Sequence, residues 1–316
     1  MRRAVAAVLA SALLLATGCG GGGSGSAGNG PDKIKVGAIP IVDVAPLHLG
    51  IAKGFFSEQG MDVEVVNTTG GAAAVPGVVS GQFTFAFGNV TSLIVAKSQN
   101  LPLKAVAEGN SSTGQNGKDF GGVVVPKDSP ITSAKELAGK QVAVNNLKNI
   151  GDTTVRASVR KAGGDPAGVR FLEMPFPDMP AAVANHRVDA AWIVEPFFTV
   201  AKNQGAKVIA SNFVDAAPDL TVAVYFTSEK VISQKPDLVK RFTAAIEKSL
   251  KYATDHPDEA RAVLSKYTKI EPGVAAKMTL PAWPQKVNRA SVQSIADQMQ
   301  GDGLIKEKFD VAQVLP

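Results

Sequence analysis

Trp192 and Glu195 close an apolar run, 188–193, and stand just before Pro196. A tryptophan there offers a flat face for stacking. A carboxylate just beyond a strand can accept hydrogen bonds from an amine or amide; it can equally be the acid that starts a helix. Gly70 and Gly71 follow Thr68 and Thr69 and open a small-residue helix. Unsatisfied backbone N–H groups at such a terminus suit an anion or a polar oxygen, and the Thr69 hydroxyl adds to them. A tight strand-to-helix turn that needs glycine dihedrals would read the same way. Asn89 with Thr91 repeats the pattern at the next helix start, as ligand groups or only as caps. Asn146, Gly151, Asp152 and Thr153 repeat it at a third. The Asp152 carboxylate would repel an anion, which favours a capping role or a ligand that donates hydrogen bonds. Asp43 and His48 lie on the first loop and helix, where a lone histidine is more often structural. Trp283, between Pro281 and Pro284, reads as a lid or, better, as a packing corner.

Other chemistries are poorly supplied. The chain of 316 residues has one cysteine and three separated histidines, His48, His186 and His256. That excludes a disulfide framework and a thiolate zinc site, and leaves no metal centre or cofactor site to name. No Ser-His-Asp or Cys-His arrangement stands out, so no catalytic residue is assigned. The formal net charge of +5 is spread without basic runs, which argues against nucleic-acid binding. The candidate pocket is also short of arginine, the usual bidentate clamp for a sulfonate or phosphate. Arg156, one turn into its helix, is expected to point outward.

Eight of the 31 glycines fall between Gly18 and Gly30, and the lone Cys19 sits at their edge. Arg2 and Arg3 precede thirteen residues, 4–16, of Ala, Val, Leu and one Ser. That stretch is shorter than the roughly 20 residues of a membrane span and fits the apolar region of a signal peptide. The run Leu15-Ala16-Thr17-Gly18-Cys19 resembles a bacterial lipobox, although the usual leucine three places before the cysteine is Ala16 here. Residues 1–18 are therefore read as a signal peptide. Residues 19–32 are read as a lipidated Cys19 followed by a flexible Gly/Ser tether. Removing the leader drops two arginines, so 31 basic against 28 acidic residues leaves +3.

From Lys33 onward, strands and helices alternate. Strands are expected at 34–38, 63–66, 83–87, 103–107, 123–125, 141–144, 169–172, 188–193, 207–210 and 221–226. Helices are expected at 46–53, 71–80, 89–97, 152–162 and 179–186, and after Glu195. A looser stretch covers 109–122. Hydrophobic content of 45% excludes wholesale disorder, and the alternation argues for α/β layers. Leu238, Phe242, Ala245, Ile246 and Leu250 then share one face of a long helix. Two α/β sets followed by helices would face each other across a cleft at the carboxyl ends of their strands.

Four segments resemble one family. They are Ala45-Pro46-Leu47-His48 with Lys53-Gly54-Phe55-Phe56; the stretch 70–88 with its Val79-Ser80-Gly81-Gln82-Phe83; Ser133 to Val144 (SAKELAGKQVAV); and Val188 to Phe198 (VDAAWIVEPFF). They are similar to the nitrate/sulfonate/taurine and thiamine-pyrimidine group of ABC-importer substrate-binding proteins, the SsuA/THI5-like or NMT1-like family. The resemblance implies a two-lobe type II periplasmic-binding fold, each lobe a mixed sheet flanked by helices, with a ligand cleft between them. Lobe 1 would comprise 33–120 and 221–316, and lobe 2 would comprise 121–220, with crossings near 121–125 and 220–226. Asn110, Ser111 and Ser112 would then line the cleft near one crossing, and Tyr225 could reach it from the other.

The function implied is capture of a small organic solute and its delivery to an ABC permease and its ATPase. The solute would be a sulfonate, taurine or nitrate-like anion, or a pyrimidine-type heterocycle. The protein would act as an exported, lipid-anchored monomer, on the outer face of the cell membrane or in the periplasm. Two other classes share the fold. One is an enzyme of the pyrimidine-synthase or menaquinone-pathway type, disfavoured by the absence of cysteine after Cys19. The other is a ligand-sensing module for a membrane receptor.

Overall fold

The computed structural model describes residues 30–316. The signal segment, Cys19 and the tether as far as residue 29 lie outside the described residues. Asp32, assigned to the tether by its neighbours, is instead the first residue of a strand. Its backbone N–H donates to the Gly60 carbonyl, and its carboxylate pairs with Arg241 at 2.5 Å.

Ten strands form two five-stranded sheets. They are β1 (Asp32–Ala38), β2 (Met61–Asn67), β3 (Phe85–Asn89), β4 (Leu103–Ser111), β5 (Gly121–Val125), β6 (Gln141–Val144), β7 (Arg170–Glu173), β8 (Ala190–Val194), β9 (Lys207–Ala210) and β10 (Thr221–Ser228). The first sheet runs β2-β1-β3-β10-β4, and the second runs β7-β6-β8-β5-β9. Both are mixed. β1 is parallel to β2 and β3, and β6 is parallel to β7 and β8, while β10 and β5 each run antiparallel to both neighbours. Each antiparallel strand is the one the chain enters after leaving the other sheet. The changeovers themselves are residues 112–120 and 217–220, just ahead of the strands named as crossings from sequence. We call the first sheet and its helices lobe 1 and the second lobe 2.

The pattern is legible in the residue types. Every residue of β10 is buried, and the strand reads TVAVYFTS without charge, as a central strand must. The helix Pro236–Asp255 buries Leu238, Phe242, Ala245, Ile246 and Leu250. Phe242 stacks on Phe85 with centroids 3.8 Å apart. Burying a phenylalanine stabilises by about 1.5–3 kcal/mol, so this face fastens the C-terminal helices to lobe 1. Among the described residues, no helix is long and apolar enough to cross a membrane.

The four helices that bear on the cleft are α1 (Ala45–Ala52), α2 (Gly71–Ser80), α3 (Val90–Ser98) and α4 (Ile150–Lys161). Two local expectations change. The loose stretch 109–122 is strand at both ends, because Asn110 and Ser111 continue β4 against β10. Asp152 does not cap α4 as its N-terminal residue. Asn149 does, accepting from the Ile150 N–H at 2.8 Å, and Asp152 reaches back from the first turn to the Lys148 N–H at 2.9 Å.

Candidate ligand-binding cleft

The two sheets present their parallel-strand carboxyl ends to each other, and the loops there enclose a narrow cleft. Lobe 1 contributes Ile39, Ile41, Asp43, Gly70, Gly71, Phe87, Gly88, Asn89 and Val222; lobe 2 contributes Asn145, Phe176, Trp192, Val194 and Phe213. The free space at the centre is about 10 Å³, no more than one water needs. Among the described residues, no lysine, arginine or histidine lines it.

The lobe 1 wall is polar and incompletely satisfied. Asp43, 2% exposed, sits in a single-turn helix after β1. Its Oδ2 accepts from Asn110 Nδ2 at 3.0 Å, while Oδ1 has no partner. Burial pushes its pKa from 3.8 up to about 7. Behind this wall and outside the cleft lining, the Asn110 Oδ1 and the Tyr225 hydroxyl, both fully buried, also lack partners. Burial raises the Tyr225 pKa, and the nearby Asp43 charge adds to the effect. Buried polar atoms are seldom left unpaired, so such a cluster marks a place where a further group is to be met.

Lobe 2 answers with aromatic surface. Trp192 is buried, with its ring edge-on to Phe176 at 5.3 Å and to Phe213 at 5.8 Å; its Nε1 has no partner. It lies so close to α4 that a methyl group on Gly151 would fall 2.5 Å from the indole. The Asn145 Oδ1, also on the cleft, is a fifth buried atom without a partner.

At Gly70 the lobes approach closely, and at Gly71 two elements of lobe 1 do. Gly70 has φ 150°, which only glycine adopts comfortably, and a methyl group there would fall 2.2 Å from the Asn146 Oδ1. Gly71 packs on Gly88, where an added Cβ would meet the Gly88 Cα at 2.7 Å. The glycines therefore serve close approach.

The remaining candidates are placed otherwise. Thr69 is exposed, and only its carbonyl is engaged, by Asn145 Nδ2 at 3.2 Å. Asn89 lines the cleft from the cap position of α3 but makes no side-chain cap; its amide donates to the Val222 carbonyl at 3.4 Å. Thr91 turns to lobe 2 and donates to Asn149 Oδ1 at 2.5 Å. Asn146 is buried against Gly70. Thr153 bonds back to the Asn149 carbonyl at 3.0 Å within α4. Asp152 holds the Lys148 N–H, and burial lifts its pKa to about 6.

His48 stacks flat on Tyr267, with centroids 3.8 Å apart, and burial lowers its pKa to about 4. Tyr267 in turn donates to the Ile41 carbonyl, and the Trp283 indole donates to the Asp43 carbonyl at 3.4 Å. Trp283 is thus a packing corner that braces the Asp43 loop.

Glu195 is fully buried and fully occupied. One carboxylate oxygen accepts from the Thr199 N–H at 2.8 Å. The other accepts from the Thr199 hydroxyl at 2.7 Å and the Thr279 N–H at 3.4 Å, with Lys202 at 3.7 Å. It starts the helix Phe197–Asn203 and ties it to lobe 1; it does not line the cleft. A roomier hollow of about 300 Å³ lies beside this helix, lined by Asp119, Phe198, Lys202 and Thr279 among others. Both Asp119 oxygens are already engaged, by Ser112, Thr113 and Phe120.

Over residues 41–260 the chain matches the family described as NMT1/THI5 like. The chain belongs to this family. A formylaminopyrimidine-binding protein of Halalkalibacterium halodurans is 25% identical over 69% of this chain and 64% of its own length, slightly under two thirds of that relative. Among solved structures, the alkanesulfonate-binding protein SsuA of Xanthomonas axonopodis pv. citri, bound to MOPS, superposes with a TM-score of 0.74. It is 15% identical, over 91% of this chain and 99% of that one. The periplasmic nitrate-binding protein NrtA of Synechocystis gives 0.76 at 17% identity, over 90% and 86%. The fold is that of the periplasmic binding proteins, as the family resemblance implied.

Within this NMT1/THI5-like chain, sequence reasoning missed the cleft-lining residues Asn145, Phe176 and Phe213. Each follows the carboxyl end of a lobe 2 strand or the loop beyond it, the position from which open α/β sheets meet ligands. Applying that rule to every strand would have found them.

Proposed function

We propose that this chain is the solute-binding component of an ABC importer. It holds in its inter-lobe cleft a small, flat, uncharged heterocycle that donates hydrogen bonds through an N–H or amino group. The observation that carries this reading is the Asp43 Oδ1, buried and unpartnered beside aromatic walls with no basic side chain around it. A donor from the ligand would satisfy it, and an anion would be repelled by it. Asn110, Asn145 and Tyr225 would supply further acceptors and a hydroxyl, Trp192 the stacking face, and Gly70, Gly71 and Asn89 the close-fitting floor. A relative that is named for a formylaminopyrimidine fits this chemistry. Lobe 1 would span 33–120 and 221–316, and lobe 2 would span 121–220. Cys19 would carry the lipid that keeps the monomer outside the cell membrane, near its permease and ATPase. Binding without turnover is the proposed role.

The test is calorimetry and thermal shift on the mature protein with formylaminopyrimidine, an alkanesulfonate and nitrate. A ligand that binds the native state raises the melting temperature by mass action. The heterocycle is expected to bind and the two anions to fail. Tight binding of the sulfonate instead would reverse the assignment of solute class, and chemical conversion of the heterocycle without added enzyme would overturn the binding-only reading. Mass spectrometry of membrane-extracted protein would test diacylglycerol on Cys19.

A further inference from the structure

We infer that Asn149 is an inter-lobe latch: a positioning residue that sets how strongly the cleft closes without touching what lies in it. The inference rests on the reading of two lobes that open and close over a solute.

Asn149 belongs to lobe 2, where its Oδ1 caps α4 through the Ile150 N–H. The same oxygen accepts from Thr91 Oγ1 of lobe 1 at 2.5 Å, and its Nδ2 donates to Ser92 Oγ of lobe 1 at 2.9 Å. All three side chains are at least 97% buried, with Thr91 0%, Ser92 3% and Asn149 3% exposed. Thr91 and Ser92 lie in the first turn of α3, so α3 and α4 meet start to start across the cleft. Each start carries about half a positive charge, so unscreened contact would push the lobes apart. The Asn149 carbonyl oxygen lies between the two starts and offsets that repulsion.

The chemistry makes the device asymmetric. When the lobes part, Asn149 keeps its cap and water takes over the hydroxyls, so the open state is not penalised by a lost helix cap. When they close, two buried hydrogen bonds form that need both lobes. None of the three side chains lines the cleft, so the latch acts on closure and leaves ligand contacts alone.

Hydrogen–deuterium exchange of the full mature chain, without any solute, tests this. Ser92→Ala leaves the Asn149 amide unpaired on closing. It should speed exchange of amides 91–93, 151 and 152 about tenfold while β3 and β6 hold their wild-type rates. Thr91→Val, close in shape, should give about fivefold, and Thr91→Ser, which keeps the hydroxyl, should restore the wild-type rates. Unchanged rates in both loss variants, or equal acceleration throughout lobe 1, would overturn the latch. If Ser92→Ala does not fold, the Thr91→Val and Thr91→Ser pair decides alone. Because no solute is present, failure to bind the proposed heterocycle leaves these rates untouched, and the two ideas fall separately.

Discussion

Two buried carboxylates flank the cleft region, and they have opposite fates. Glu195 stands in the most distinctive segment of the chain, VDAAWIVEPFF, and both its oxygens are taken up by Thr199, Thr279 and Lys202. Asp43 lines the cleft from an unremarkable loop, and one of its oxygens has nothing to bond. Burial raises the pKa of both. The difference lies in donors supplied by the chain itself. Thr199, four residues on in the first turn of the next helix, satisfies Glu195 locally, whereas Asp43 depends on Asn110 for one oxygen and on something else for the other. A recognisable motif can therefore be scaffold, while the chemistry sits in the loop that the scaffold holds.

The sharpest way to break this contrast is Glu195→Ala. It strips acceptors from buried donors at the seam of the lobes, so it should lower unfolding free energy by about 3 kcal/mol. Urea denaturation would measure it, and the surviving folded protein should bind its solute nearly as before. A loss under 0.5 kcal/mol with a large loss of affinity would move Glu195 into the site. Asp43→Asn should do the reverse. It keeps the shape but replaces an acceptor with an amide, and affinity for the amino-bearing heterocycle should fall about 100-fold. Stability at pH 8 should hold or rise, because a buried charge is removed; calorimetry and denaturation on one preparation separate the two.

The pH dependence sharpens the comparison further. Burial lifts Asp43 from 3.8 to about 7, Glu108 from 4.5 to about 8 and Asp152 from 3.8 to about 6. Between about pH 4 and 8 the folded chain therefore keeps protons that the unfolded chain has released. Stability must fall as pH rises through that window. Melting of the ligand-free protein should drop by a few degrees from pH 5 to pH 8, and Glu108→Gln should flatten the upper part of the slope. Solute affinity should run the other way, rising through about pH 7 as Asp43 ionises and becomes the better acceptor. Parallel slopes would mean that Asp43 does not face the solute.

The layers of the fold were legible because they rest on local rules. The strands at 141–144 and 207–210 and the face from Leu238 to Leu250 follow from period and burial alone. The lining of the cleft was half legible. Asp43, Gly70, Gly71, Asn89 and Trp192 were placed at the cleft by turn chemistry and by the rule that strands end there. Thr91, Thr153 and Glu195 lie off the cleft lining, because a polar residue at a helix start looks the same in sequence whether it meets the cleft, a cap or the opposite lobe. Asn149 rather than Asp152 caps α4 for a similar reason: both have the right side chain, and only the three-dimensional entry angle of the chain chooses between them.

His48 gives the smallest expected effect and the cleanest control on the comparison. It sits two turns of chain from Asp43 and has the side chain most often suspected of chemistry, yet its ring stacks on Tyr267 and its pKa of about 4 leaves it neutral near pH 7. Its work is to hold Tyr267, which holds the Ile41 carbonyl, which steadies the Asp43 loop. A flat ring is all that this requires. His48→Phe should change unfolding free energy by less than about 0.5 kcal/mol and leave affinity and its pH slope as they are. His48→Ala removes the stack and should cost about 1 kcal/mol in stability, with a modest loss of affinity as the Asp43 loop loosens. A change in the pH slope with His48→Phe would mean that the imidazole itself titrates at the site, and Asp43 would no longer stand alone as its ionisable group.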